Sequence, residues 1–172
     1  KELTLYLVFL DRLASDFTGQ INKEEGSMVH LYWGDGKGKT TAAMGLALRM
    51  AGRSRGVVIA QFLKGADSGE RHALAQIPGV TLLPVPEQVK FSFQLSPEER
   101  EAERVRYCRL ILQAGAAAED SQCGLLVLDE VCAAVNTGLL PLEEVLACLD
   151  RVPCEVVLTG RDPAPELRER AD

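Results

Sequence analysis

The eight residues 34–41, GDGKGKTT, constrain the fold of this chain more than any other stretch. They lie between a short apolar segment, MVHLYW (28–33), and a segment predicted as a helix, TTAAMGLALRMAG (40–52). Glycines let successive backbone N–H groups point at one anion, and a following helix adds the positive end of its dipole. A glycine-rich turn that happens to precede a helix is the alternative. The apolar strand followed by Gly-Lys-Thr-Thr favours a phosphate-binding loop instead.

The rest of the chain alternates apolar strands with helices. The strand candidates are 28–33, 55–63, a short piece VTLLPV (80–85), 124–130 and 154–161. The helix candidates are 40–52, 96–120 and 142–152. Ser96 is a cap residue followed by Pro and two carboxylates, which is typical of a helix start. Continuous apolar strands alternating with helices indicate a parallel sheet covered on both faces. We therefore predict an α/β, three-layer P-loop NTPase-like fold with a mostly parallel sheet.

The loop carries cations and hydroxyls suited to a nucleotide and its metal ion. Lys39 has the reach to contact phosphate oxygens. The hydroxyl of Thr40 or Thr41 is an oxygen ligand of the type that Mg²⁺ prefers. Lys37 adds a second positive charge within the loop.

The loop is also one residue shorter than the general phosphate-loop pattern, which places four residues between its first glycine and Gly-Lys-[Ser/Thr]. Only three residues separate Gly34 from Gly38, and Trp33 stands where the first glycine is expected. A tighter loop encircles phosphate differently. We therefore expect the triphosphate to lie differently from its position in ordinary hydrolases.

Two acidic residues end the apolar strand LLVLDE. Asp129 and Glu130 lie at the carboxyl end of this strand, where α/β proteins bind ligands. Together with the loop they predict a Mg²⁺ site, in which one carboxylate acts directly or through water; the alternative is capping of the next helix. Arg161 follows the strand EVVLTG and is predicted to contact phosphate, with a surface ion pair as the alternative.

Composition narrows the function classes. The formal net charge of −6 argues against a general nucleic-acid-binding protein. The longest apolar run, LTLYLVFL (3–10), is too short to span a membrane. The five cysteines show neither a CxxC motif nor metal-ligand spacing, so we expect reduced thiols in a cytoplasmic protein.

The two ends of the sequence differ from its middle. Residues 1–27 form an extension with helical character, and Gly26-Ser27-Met28 fits equally a non-native junction and an ordinary turn. Residues 28–172 form the predicted catalytic domain. The last residues, ELRERAD, lack a helix cap, and we expect the natural chain to continue beyond them.

The order and spacing of five motifs resemble one known family. GDGKGKTTAAMGLALRMAGR, QFLKGADSGE, LLVLDE, LPLEEVL and VVLTGR are similar to the P-loop type of ATP:corrinoid adenosyltransferases, over residues 29–172. The shortened loop is itself characteristic of this family. The resemblance implies transfer of the 5′-deoxyadenosyl group of ATP to the Co(I) of a corrinoid, with triphosphate leaving whole. It further implies Mg²⁺ or Mn²⁺, a reduced flavoprotein as electron donor, and a homodimer.

The resemblance also assigns roles to individual residues. It implies catalytic roles for Lys39 and Glu130 and metal ligation by Thr40, Asp129 and Glu130. ATP contacts are implied for the following residues: Gly34, Asp35, Gly36, Lys37, Gly38, Lys39, Thr40, Thr41 and Arg161. Gln61, Lys64 and Glu70, from the second motif, are expected to line the site.

The stretch Phe91-Ser92-Phe93 matches an aromatic pair of the family. There the pair lies beneath the corrin and displaces its lower ligand, so Phe91 and Phe93 are expected to assist catalysis. The second aromatic is Phe93 where the family often has Trp. From the residues alone, a half-buried strand or a lid is the alternative.

Two other function classes remain open. One is a generic P-loop ATPase or small-molecule kinase, and the other is a nucleotide- or corrinoid-binding protein without catalysis. The shortened loop and the aromatic pair favour the adenosyltransferase.

Overall fold

A five-stranded, entirely parallel sheet forms the centre of the molecule. The computed structural model describes residues 28–90, 92–120 and 122–172. The strands are β1 (Val29–Trp33), β2 (Gly56–Gln61), β3 (Val80–Leu82), β4 (Cys123–Asp129) and β5 (Glu155–Gly160). Their order across the sheet is β1-β5-β4-β2-β3. The predicted α/β fold with a parallel sheet is therefore confirmed.

Helices cover both faces of the sheet. They are α1 (Lys39–Ala51), α2 (Gly69–Leu74), α3 (Pro97–Ala118), α4 (Val131–Asn136), α5 (Leu142–Arg151) and α6 (Pro165–Arg170). Successive residues of β4 alternate between two cores: Leu125 and Val127 pack with α1 and α2, whereas Leu126 and Leu128 pack with the other four helices. This alternation buries both faces of the strand, which explains its uninterrupted apolar sequence.

The longer elements begin and end within a few residues of their predicted limits. The capping box that Ser96 makes with Glu99 fixes the start of α3: each residue's side chain accepts a hydrogen bond from the other's backbone N–H. The short helices α2, α4 and α6 are not among the three helix candidates. Each has six residues, too few to show a helical repeat in the sequence.

The predictions about the cysteines, the membrane and the N-terminal extension concern the chain as a whole. The five cysteines are free thiols, and four of them are buried. No helix in the described ranges is both long and apolar enough to span a membrane. The predicted extension, residues 1–27, lies outside the described residues.

The strand order brings the predicted site together at one edge of the sheet. Strand β5 lies between β1, which leads into the glycine loop, and β4, which ends in Asp129. All strands are parallel, so their carboxyl ends share this edge. Trp33 still pairs with Gly160 of β5. Strand β1 therefore includes Trp33, the position where the general pattern has its first glycine. Because this position belongs to the strand, the loop is one residue shorter.

Gly160 permits close contact between the end of β5 and helix α4. Its φ angle is +151°, and a Cβ atom there would lie 2.5 Å from the Cβ of Cys132. That separation is far below van der Waals contact. A glycine is therefore required where β5 reaches the functional edge of the sheet.

We expect Gly160→Ala to lower the free energy of unfolding by about 1–3 kcal/mol, because the added methyl group overlaps Cys132. Gly45→Ala is the matched control. Gly45 lies within α1, and no atom lies within 4 Å of the position that an added methyl group would take there. The control should raise stability by about 0.5–1 kcal/mol. Urea unfolding of both variants checks the opposite signs; equal effects would contradict this account of Gly160.

Candidate active site

The glycine loop joins β1 to the first turn of α1 with two residues in left-handed backbone geometry. Gly34 has φ +119° and Gly38, at the N-cap of α1, has φ +104°. Other residues rarely adopt these angles. The Lys39 ammonium donates hydrogen bonds to the carbonyl oxygens of Gly34, at 2.6 Å, and Gly36, at 2.8 Å. The predicted phosphate-contacting lysine thus lies over the loop.

The carboxylate of Asp129 is the centre of the site. It is fully buried and accepts four hydrogen bonds. Thr40 and Thr159 donate to Oδ1, at 2.9 and 2.7 Å. Gln61 and Lys64 donate to Oδ2, at 3.0 and 2.7 Å. We call these five residues the Asp129 network. It connects the loop helix, through Thr40, to the ends of β2, β4 and β5.

The network keeps Asp129 charged despite its burial. Burial alone would raise the pKa of this carboxyl group. The hydrogen bond and charge of Lys64 outweigh that effect, with help from Gln61 and Thr159, so the pKa lies below its ordinary value of 3.8. Asp129 is therefore an anion at neutral pH. An anion at this position attracts a cation to the loop.

Lys64 makes further contacts within the site. Its ammonium also lies 3.1 Å from Oγ1 of Thr40 and 3.8 Å from the carboxylate of Glu70, in the first turn of α2. Gln61, Lys64 and Glu70 were predicted only to line the site. In the structure, two of them bind Asp129 and the third faces Lys64.

Two contributors to the site were not predicted. Arg71 donates to Oε1 of Gln61, at 2.8 Å, and to the carbonyl oxygen of Leu83. Because a guanidinium is only a donor, it orients the Gln61 amide so that the NH₂ group faces Asp129. Thr159 lies in the motif VVLTGR, two residues before Arg161. Its position near the carboxyl end of a predicted strand, beside Arg161, is the sequence signal that could have identified it as a site residue.

Glu130 is placed by its backbone. Its φ angle of +58° is unusual for a residue other than glycine, and such geometry is common at functional sites. Its N–H donates to Oγ1 of Thr159 at 2.8 Å. Glu130 is the N-cap of α4, but its side chain makes no capping hydrogen bond. Both carboxylate oxygens of Asp129 accept hydrogen bonds from the network. Neither side chain therefore caps α4, which was the alternative to a metal site.

Other predicted residues lie around the rim. Arg161 is 3.9 Å from Asp35, and both side chains are largely exposed. This contact is the ion pair considered as an alternative, and it also places the guanidinium beside the loop. Lys37 and Thr41 are exposed, and their predicted roles stay predictions.

The aromatic stretch is placed only in part. Residues Ser92–Gln94 form a 3₁₀ turn ahead of α3, so the strand alternative is wrong for this segment. Phe93 is 80% exposed. Phe91 lies outside the described residues.

The residues present suit a magnesium ion that a nucleotide helps to hold. In the described part of the chain, no three His, Cys, Asp or Glu side chains are grouped as a metal site. Mg²⁺, however, is commonly held by one or two carboxylates together with substrate phosphates. Thr40 and Asp129 bring a hydroxyl and a carboxylate together beside the loop. This donor set fits Mg²⁺.

The low pKa of Asp129 makes stability depend on pH. A carboxyl group whose pKa is lowered by folding contributes its full stabilisation at pH values above its pKa in the unfolded chain, here 3.8. That contribution is lost as the pH falls through the lower pKa of the folded protein. We therefore expect the free energy of unfolding of Asp129→Asn to fall less steeply in acid than that of the unmodified protein. Urea unfolding over a pH series measures both slopes. Parallel curves would show that Asp129 carries no such linkage.

Comparison with known proteins identifies the family of this chain. The model of the family described as ATP:corrinoid adenosyltransferase BtuR/CobO/CobP matches residues 25–172. The corrinoid adenosyltransferase of Escherichia coli strain K12 is 34% identical over 159 residues, covering 87% of this chain and 76% of the relative.

Relatives from other bacteria agree. Corrinoid adenosyltransferase CobA of Salmonella typhimurium strain LT2 has the same identity and coverage. The corrinoid adenosyltransferase of Pseudomonas aeruginosa strain PAO1 is 31% identical over 153 residues, covering 87% of this chain and 74% of the relative. The loop, the acidic strand end and these matches together show that the chain belongs to the ATP:corrinoid adenosyltransferase family BtuR/CobO/CobP.

Proposed function

We propose that this protein transfers the 5′-deoxyadenosyl group of ATP to the Co(I) centre of a corrinoid and releases triphosphate. The observation that carries the proposal is the 2.9 Å hydrogen bond between Thr40 and Asp129. It joins the shortened loop to a buried anion within a chain of this family. This arrangement supports binding of a triphosphate at the loop and of its accompanying cation beside Asp129.

The reaction is a displacement at the 5′ carbon of the ribose. The electron pair of Co(I) forms the cobalt–carbon bond while the carbon–oxygen bond to the triphosphate breaks. The departing triphosphate takes that bond's electron pair and gains negative charge. Stabilising this charge is the main electrostatic task of the protein.

The glycine loop performs that task. Its backbone N–H groups, the N-terminus of α1 and the ammonium of Lys39 offer positive charge to the leaving group. Lys37 and Arg161, at the rim, add to it. Contact of Lys39 with phosphate requires its ammonium to exchange the carbonyl oxygens of Gly34 and Gly36 for phosphate oxygens.

The metal ion is assigned to Thr40 and Asp129, with Glu130 as a further carboxylate. Mg²⁺ or Mn²⁺ held there supplies charge neutralisation for the triphosphate. Gln61, Thr159 and Arg71 keep Asp129 oriented and ionised. Asp35 is assigned to the nucleotide.

The corrinoid is assigned to the surface around Phe93, with Phe91 assigned to it from the sequence alone. The high exposure of Phe93 suits an aromatic side chain that packs against a flat, largely apolar macrocycle. A reduced flavoprotein as electron donor, a homodimer and a cytoplasmic location complete the proposal. The free thiols fit a reducing compartment.

Product analysis tests the proposed reaction. Anaerobic incubation with MgATP and Co(I) cobalamin should give adenosylcobalamin and triphosphate in equal amounts, followed by the corrinoid spectrum and by chromatography of the nucleotide products. Formation of ADP and phosphate without change at cobalt would instead indicate an ATPase or kinase. ATP binding without any product would indicate a binding protein.

We expect Lys39→Ala to lower the rate of adenosyl transfer by about 10²-fold or more, as removal of a charge stabiliser does in other enzymes. Arg53→Ala is the control, because Arg53 is exposed and precedes β2 at the opposite edge of the sheet. It should keep full activity. Single-turnover kinetics with both variants checks the difference. An unchanged rate in Lys39→Ala would remove the loop from the mechanism.

A further inference from the structure

The ammonium of Lys64 lies between Thr40 and Asp129, two of the side chains assigned to the metal ion. It is 2.7 Å from Oδ2 of Asp129 and 3.1 Å from Oγ1 of Thr40. A positive charge within hydrogen-bond distance of both oxygens marks a cation position. A divalent cation bound to the same two oxygens cannot share that space with the ammonium.

Among the four donors to Asp129, Lys64 is the one suited to leave. Gln61 and Thr159 are buried and at most 1% exposed, and Thr40 is fixed in the first turn of α1. The Lys64 side chain is 25% exposed and has four rotatable bonds. Asp129 accepts two hydrogen bonds at each oxygen, so its lone pairs are fully used. A metal ion therefore binds Asp129 directly only if a donor departs.

Glu70 provides a second partner for the departing ammonium. Its carboxylate is already 3.8 Å from the Lys64 ammonium and is 36% exposed. A small rotation of the lysine side chain exchanges one carboxylate for the other. The lysine then stays paired while Asp129 becomes available.

We propose that Lys64 is an internal counter-ion, which holds the cation position between Thr40 and Asp129 and moves to Glu70 when a divalent cation binds. The inference rests on the metal site of the proposed function. It gives Lys64 a specific role, whereas the sequence predicts only that Lys64 lines the site.

The exchange has two consequences. The buried Asp129 anion always has a cationic partner, which avoids the large cost of an unpaired buried charge. A metal ion arriving alone must displace the lysine, so it binds weakly. The phosphates of ATP add ligands that offset this cost, and metal and nucleotide therefore bind cooperatively.

Binding of Mn²⁺ in the absence of nucleotide, measured by electron paramagnetic resonance, tests the competition. Lys64→Met should bind Mn²⁺ more tightly by about tenfold or more, because a competing charge at hydrogen-bond distance is gone. Lys64→Arg keeps the charge and should show no gain. Lys90→Met, which removes the same charge from a surface ion pair with Glu99, should match the unmodified protein.

A second pair of variants tests the role of Glu70. Glu70→Gln should weaken Mn²⁺ binding several-fold, since the displaced lysine loses its partner. The same substitution in the Lys64→Met background should have little effect. This double-mutant cycle separates the lysine exchange from a general loss of negative charge near the site.

The outcomes separate this inference from the proposed metal site. Equal Mn²⁺ affinity in Lys64→Met and the unmodified protein, with binding lost in Asp129→Asn, would overturn the role of Lys64 alone. Retention of Mn²⁺ binding in Asp129→Asn would overturn the metal site and the inference together. A second readout is the melting temperature, which Mn²⁺ should raise more in Lys64→Met than in the unmodified protein.

Discussion

A buried carboxylate that must stay ionised is the constraint on which the site depends. Asp129 has no contact with solvent, and an unpaired charge there would cost several kcal/mol, on the order of the stability of the whole domain. Its four donors come from separate parts of the chain: Thr40 from α1, Gln61 from the end of β2, Lys64 from the loop after β2, and Thr159 from β5. Satisfying one anion therefore aligns several elements at the functional edge of the sheet.

The same interactions connect stability to chemistry. Thr40 lies in the first turn of α1, at the end of the glycine loop, so the geometry of that loop is tied to that of the buried anion. Lys64 neutralises Asp129 at a position suited to a metal ion. A site organised this way keeps the negative charge of Asp129 balanced, and it holds the Lys39 ammonium over the adjoining glycine loop.

The sequence predicted the framework of the fold better than the details of the site. Long apolar strands, the glycine loop and the acidic strand end have local patterns, so their positions were predicted. The partners of Asp129 lie 30 to 89 residues away along the chain, and no local pattern reports such contacts. Arg71 acts one step further away, through Gln61. The short helices α2, α4 and α6 are absent from the helix candidates because tertiary packing stabilises them rather than a repeat in their own residues.

The central claim is that Thr40 and Asp129 define the cation position of the site and that Lys64 occupies it reversibly. A crystal structure of the protein with MgATP tests this most directly. The account predicts electron density for the metal ion beside Oγ1 of Thr40 and the Asp129 carboxylate, with the Lys64 ammonium within hydrogen-bond distance of Glu70. A metal ion bound elsewhere, with Lys64 still bonded to Asp129 and Thr40, would contradict it.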